Sequence, residues 1–283
     1  PETAKIHAVS DPLPQILDGI PLDVRSIDLE LGRPSFTLNP TSCNPTAVGG
    51  SLTSALGQTQ ALSSPFQVGG CGALPFKPKL QIKLKGGTKR GDFPALTATA
   101  TAKPGEANIG RVSVELPHSA FLEQSHIGTV CTRVQFSQGA IPGAACPARS
   151  IYGKATLVTP LLDQPLSGPV ILRSSSHKLP DLVVALHGQV DIVVAGKVDS
   201  VKGALRNTFE AVPDAPFSKF TLQMQGGKKG LIVNSRNLCA APNKATVLMD
   251  GQNGKAWDTQ PVVKAKCSGK AKKKHSKKGH KKR

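Results

Sequence analysis

The chain has 283 residues, 39% of them apolar, and a formal net charge of +18; that is length enough for two or three domains of ~100–150 residues each. Half of the excess charge lies in 268–283, which holds eight Lys, one Arg and no acid, whereas 1–267 carries 27 basic against 18 acidic residues; the basic balance therefore belongs to one segment and does not describe a nucleic-acid-binding surface spread over a fold. The longest apolar run, 182–186, is five residues against the ~20 of a membrane-spanning helix, and 28 Gly with 23 Pro set among alternating apolar residues describe many short strands joined by tight turns.

The sequence opens at Pro1 without an initiator Met, and we read it as a processed or excised piece. Residues 1–20 are loop-like. Residues 21–31 alternate polar and apolar side chains, which predicts a strand with one wet face; Gly32-Arg33-Pro34 turns the chain and 35–38 can pair back. A Ser/Gly/Thr-rich stretch follows as far as Cys71. From Pro75 the pattern sharpens, and strands are predicted over 80–84, 95–101, 111–116, 132–136 and 154–158, with a helical turn over 121–125. Beyond the Pro-rich junction 160–165, strands are predicted over 169–172, 181–186, 190–194, 198–210, 217–224, 231–233, 245–249 and 260–266. No window shows a sustained helical period. With only two Met, one Trp and one Tyr, the cores are built from Val, Ile, Leu, Ala and Phe. The spacing predicts an all-β chain of tandem antiparallel β-sandwich (immunoglobulin-like) domains, stapled by disulfides. Its parts are an N-terminal β region over 1–75 (an incomplete domain), sandwiches over 76–164 and 165–267, and a disordered Lys-rich tail over 268–283.

Six cysteines set the compartment: Cys43, Cys71, Cys131, Cys146, Cys239 and Cys267. No pair has CxxC spacing and no His stands at zinc-finger spacing from them, which argues against a zinc site. Six Cys allow 15 connectivities. Local sequence favours the sequential one, Cys43–Cys71, Cys131–Cys146 and Cys239–Cys267, because each pair flanks a segment of strand and turn character; buried free thiols are the alternative. Three bridges at roughly 3–4 kcal/mol each are comparable to the net stability of small domains and imply an oxidising location.

No constellation of catalytic residues emerges. The Gly/Lys loops 86–91, 226–230 and 251–255 lack the complete phosphate-loop pattern and the helix that should follow it; 226–230, between two apolar runs, reads as a hairpin turn. Asp191 and Asp199 lie on or near strands without a spacing that pairs them, as two glycosidase carboxylates must be. His118 and His126 are eight residues apart and do not form HExxH, and His187 falls at a hairpin tip. Ser175–Lys178 matches SxxK by letter only, in a loop. The residues predict no enzyme, no cofactor and no metal. Lys270, Lys272, Lys273, Lys274, Lys277, Lys278, Lys281, Lys282 and Arg283 form the polyanion-binding candidate: fixed like charges without apolar partners do not fold alone, and they attract polyanions in a salt-dependent way. With no aromatic residue in the tail, base-specific nucleic-acid reading is not expected.

Three stretches carry a resemblance: 122–147; 159–162 together with 165–170; and 208–216 running into 226–231 and 234–239. Over 76–283 the chain resembles an uncharacterised family of large secreted bacterial cell-surface β-proteins, often ending in a Lys-rich tail. The resemblance implies export, a signal peptide and a longer precursor, and implies no activity. The resulting expectation is a non-catalytic structural or adhesive module, extracellular or at the cell surface, whose tail docks on anionic envelope polymer. The alternative is a carbohydrate- or protein-binding module with Trp257, beside Asp258, as its anchor.

Overall fold

The computed structural model describes residues 7–28, 30 and 37–267. In chain order its strands are β1 (Ile16–Leu17), β2 (Ile20–Pro21), β3 (Thr46–Thr53), β4 (Thr59–Phe66), β5 (Lys79–Lys85), β6 (Ala95–Thr101), β7 (Ile109–Glu115) and β8 (Ala120–Leu122). The helix α1 (Arg133–Ser137) follows, then β9 (Ile151–Val158), β10 (Leu166–Arg173), β11 (Asp181–Leu186), β12 (Ile192–Val201), β13 (Ala204–Phe209), β14 (Lys219–Met224), β15 (Ile232–Asn234), β16 (Thr246–Gly251) and β17 (Lys264–Ala265). The β-rich, disulfide-linked character predicted from the sequence is present.

Eleven of these strands form one curled sheet in the order β16-β7-β13-β12-β11-β10-β9-β14-β6-β5-β17. The expected tandem sandwiches are not what forms. β14, from the second expected unit, lies between β9 and β6 of the first, and β7 of the first lies between β13 and β16 of the second. The anticipated 164/165 boundary falls between β9 and β10, which are hydrogen-bonded neighbours. The curl closes through the chain after β16: Thr259 bridges Val247 and Val262 bridges Lys244 along one edge, and β17 then pairs in parallel with β5 at the other.

Alternation assigns the two faces of the curl. In β5, Leu80, Ile82 and Leu84 turn inward while Lys79, Gln81, Lys83 and Lys85 are exposed. The same rule puts Leu182, Val184 and Leu186 inside on β11, and Phe220, Leu222 and Met224 inside on β14. β11 is buried on both faces, because a second apolar layer covers it from outside. There Phe136 of α1 and the Cys131–Cys146 bridge pack on Ile171, Val183 and Ala185. The region 132–136, expected as a strand, is this helix. Its cue is a capping box: the Thr132 hydroxyl accepts from Gln135 N and the Gln135 side chain accepts from Thr132 N, satisfying two otherwise unpaired donors.

Other local readings divide. β6 and β11 match their predicted bounds. The stretch 198–210 is a hairpin, not one strand: Lys202 and Gly203 both have positive φ, the two-residue turn that matches strand twist. The turn at 226–230 forms, yet β14 and β15 do not pair with each other; β15 pairs with β8. Residues 22–28 form no strand and are exposed, since alternation without a partner strand or a core to cover gives no sheet; Leu29 and 31–36 lie outside the described residues. The Asp18–Gly19 turn of the β1–β2 hairpin falls in the stretch expected to be loop-like, whereas the β3–β4 hairpin agrees with the strand and turn character expected between Cys43 and Cys71.

All three sequential disulfides form, with Cα–Cα separations of 5.6, 5.3 and 5.7 Å. They indicate an oxidising, non-cytoplasmic compartment. No helix among the described residues is long and apolar enough to cross a membrane.

Candidate functional site

Curling eleven strands has a geometric consequence. A sheet of about eight strands leaves an interior that side chains just fill, and the diameter grows with strand number. Here the inward faces enclose a lumen of about 500 Å³, within the usual size of a ligand site, roughly 300–1,000 Å³. Its walls are apolar, built mainly of Leu, Val, Ile and Phe from strands of the curled sheet; among the described residues Thr159, Asn207 and Gln225 are the polar ones and no charged side chain lines it. Leu157, Leu205, Phe209 and Phe220 pack against the core but are only partly buried, because one side of each faces the lumen.

One end is plugged. β8 and β15 form a short sheet across it, and Leu122, Ile127, Leu231 and Ile232 reach into the lumen. Polar bonds lock the plug. Tyr152 Oη donates to His126 O at 3.1 Å and accepts from Gly128 N at 2.8 Å. His126 Nδ1 lies 2.8 Å from Gly230 O.

The opposite end is rimmed by the loops 159–165, 187–191 and 210–218. Leu161 and Val190 line the lumen yet are 48% and 39% exposed, which marks the mouth. The rim is tied together. Thr159 Oγ1 donates to Pro216 O at 2.7 Å, and Gln189 Oε1 accepts from Asp163 N at 2.9 Å. Asp214 anchors the third loop. Its carboxylate accepts from Thr41 N at 2.8 Å, Thr41 Oγ1 at 2.7 Å, Ser42 N at 3.0 Å and Asn108 Nδ2 at 2.8 Å. The result is a preformed opening with little polar surface behind it.

The residues singled out from the sequence are placed elsewhere. Asp199 pairs with Arg206 through two hydrogen bonds, the shorter 2.6 Å, and the guanidinium holds its carboxyl below the ordinary carboxylate range. Asp191 meets His187 at 3.0 Å in the β11–β12 hairpin loop. Ser175 Oγ donates to Leu179 O at 2.6 Å, and His177 Nε2 contacts Asp181 at 2.9 Å; the serine hydroxyl is engaged by backbone, not by the imidazole. Trp257 is half-buried against the small cluster of Phe76, Val247 and Met249, with Lys77 Nζ 5.8 Å from its ring centre, so the ring serves packing. The basic residues from Lys270 to Arg283 lie outside the described residues. Among the described residues no three His, Cys, Asp or Glu side chains gather as a metal site would require. Sequence reasoning missed the lumen because alternating strands describe a sandwich face and a barrel interior equally well.

Comparison with family models, curated proteins and solved structures returns no match.

Proposed function

We propose that this chain is a non-catalytic binding protein of an extracellular or cell-surface compartment that holds an apolar molecule inside its curled sheet. One observation carries the reading: a lumen of about 500 Å³ whose lining, among the described residues, contains no charge and three polar residues, opening at exposed Leu161 and Val190. Transfer of apolar surface from water into such walls is favourable by about 25 cal/mol per Å², and a rim already bonded together keeps the ordering cost low. The test is uptake of a neutral apolar fluorophore by the full chain. Ala98 lines the lumen from β6, and Ala98→Phe fills part of it from within. The wild type is expected to bind with enhanced emission and a raised melting temperature. The variant should keep the same circular dichroism and lose at least tenfold in affinity. Equal uptake by both proteins, or none by the wild type, overturns the proposal.

A second reading rests on the charge distribution, nine cations in 16 residues: the tail tethers this protein to anionic envelope polymer. Retention on a polyanionic matrix should fall steeply as salt rises, because counterion release drives such binding. A chain ending at Cys267, which keeps 27 basic against 18 acidic residues, should elute at clearly lower salt than the full chain. Undiminished retention of the shortened chain removes the tether.

A further inference from the structure

Within the lumen one strand breaks the apolar pattern. On β13 the inward positions are Leu205, Asn207 and Phe209. Across the ladder Asn207 stands between Val114 of β7 and Val198 of β12, so both residues directly opposite it are hydrocarbon. Its Oδ1 is buried without a hydrogen-bond partner, and the amide makes no side-chain hydrogen bond among the described residues. Such a group is costly wherever it is left unpaired, and a Leu or Val would fit the pattern of the wall. The site has been shaped around it. Opposite Phe209 stands Gly196, and a Cβ there would collide with both Asn207 Oδ1 and the Phe209 ring. The glycine gives the amide and the ring room to lie over the strand.

Position adds to this. β13 runs into the rim loop 210–218, and Asn207 lies two residues inside Phe209, about 7 Å deeper at ~3.3 Å per residue. A ligand entering at Leu161 and Val190 therefore passes Phe209 before it meets the amide. We infer that the molecule held in the lumen is a neutral, lipid-like alcohol whose hydroxyl pairs with the Asn207 side chain. The inference rests on the apolar-lumen reading above and names the chemistry of its ligand. Oδ1 is covered over Gly196, so the Nδ2–H end is the one open to a ligand, and a hydroxyl oxygen accepts from it. An alkane leaves the amide unpaired. A carboxylate is disfavoured because among the described residues no Lys, Arg or His lines the lumen, and an unpaired buried charge is far costlier than an unpaired hydroxyl.

The experiment uses three probes of one chain length, 1-dodecanol, dodecane and dodecanoate at neutral pH, delivered from cyclodextrin to the full chain. Binding is read by displacement of the neutral fluorophore. The comparison protein is Asn207→Leu, which keeps the branched side-chain skeleton, is bulkier, and has no polar atom. Comparing the alcohol-to-alkane preference between the two proteins cancels the difference in probe hydration. That preference should be about tenfold larger in the wild type, with dodecanoate weaker than the alcohol. Independently of any variant, the Asn207 side-chain amide resonance should shift with dodecanol and stay in place with dodecane. The hydroxyl assignment is overturned by an equal preference in both proteins, by tighter binding of dodecanoate, or by an unmoved amide resonance on saturation with the alcohol; the apolar lumen survives each of these. Failure of all three probes to displace the fluorophore or to bind removes the lumen reading itself.

Discussion

Asp214 shows how much one side chain can organise. Its carboxylate accepts four hydrogen bonds and joins the segment around Thr41 to Asn108 and to the rim of the lumen. Charged acceptors contribute more per bond than neutral ones, and removing one leaves its donors unpaired. Asp214→Ala should cost about 2–3 kcal/mol in urea unfolding and speed amide exchange at Thr41 and Ser42. Unchanged stability together with unchanged exchange would show that the rim is held by other contacts. Little of this was legible beforehand. Asp214 sits in a Pro-flanked turn sequence, and its partner Thr41 is 173 residues away. Asn207 was hidden differently: a lone polar residue in an alternating strand is unremarkable until the direction of that face is known.

At the scale of elements, the loop between Cys131 and Cys146 is a cover for the outside of the central strands. It brings Phe136 onto Ile171 and Val183, with the Arg173 guanidinium 5.1 Å from the Phe136 ring centre. Closing a loop of about 15 residues contributes roughly 3 kcal/mol in the chain-entropy model. The double variant Cys131→Ala with Cys146→Ala is expected to lose about 2–4 kcal/mol and to expose the outer face of β10 and β11, seen as increased binding of a surface-apolar dye. An unaltered unfolding midpoint would mean that packing alone holds the cover. The local cues to these elements were uneven. The Thr132–Gln135 capping box was readable as a helix start, and Asp18-Gly19 as a hairpin turn. Lys202-Gly203 was harder, because Lys is an uncommon residue at a position needing positive φ.

For the whole molecule, composition and alternation were enough to establish a β-rich chain with a charge-segregated end, and the sequential pairing that local sequence favoured among fifteen is the one that forms, each bridge closing a short local loop. Strand order was not available from the sequence. It depends on pairings such as β14 with β6, where Leu222 faces Ala98, and such distant contacts are selected by the fit of whole faces and not by neighbouring residues. The side-chain period of two places apolar residues on one face of a strand and is silent on what that face meets. Only the tertiary closure, with 256–265 running from one edge to the other, decided that the apolar faces would surround a space and not press against a second sheet; eleven strands curve too widely for their own side chains to fill it.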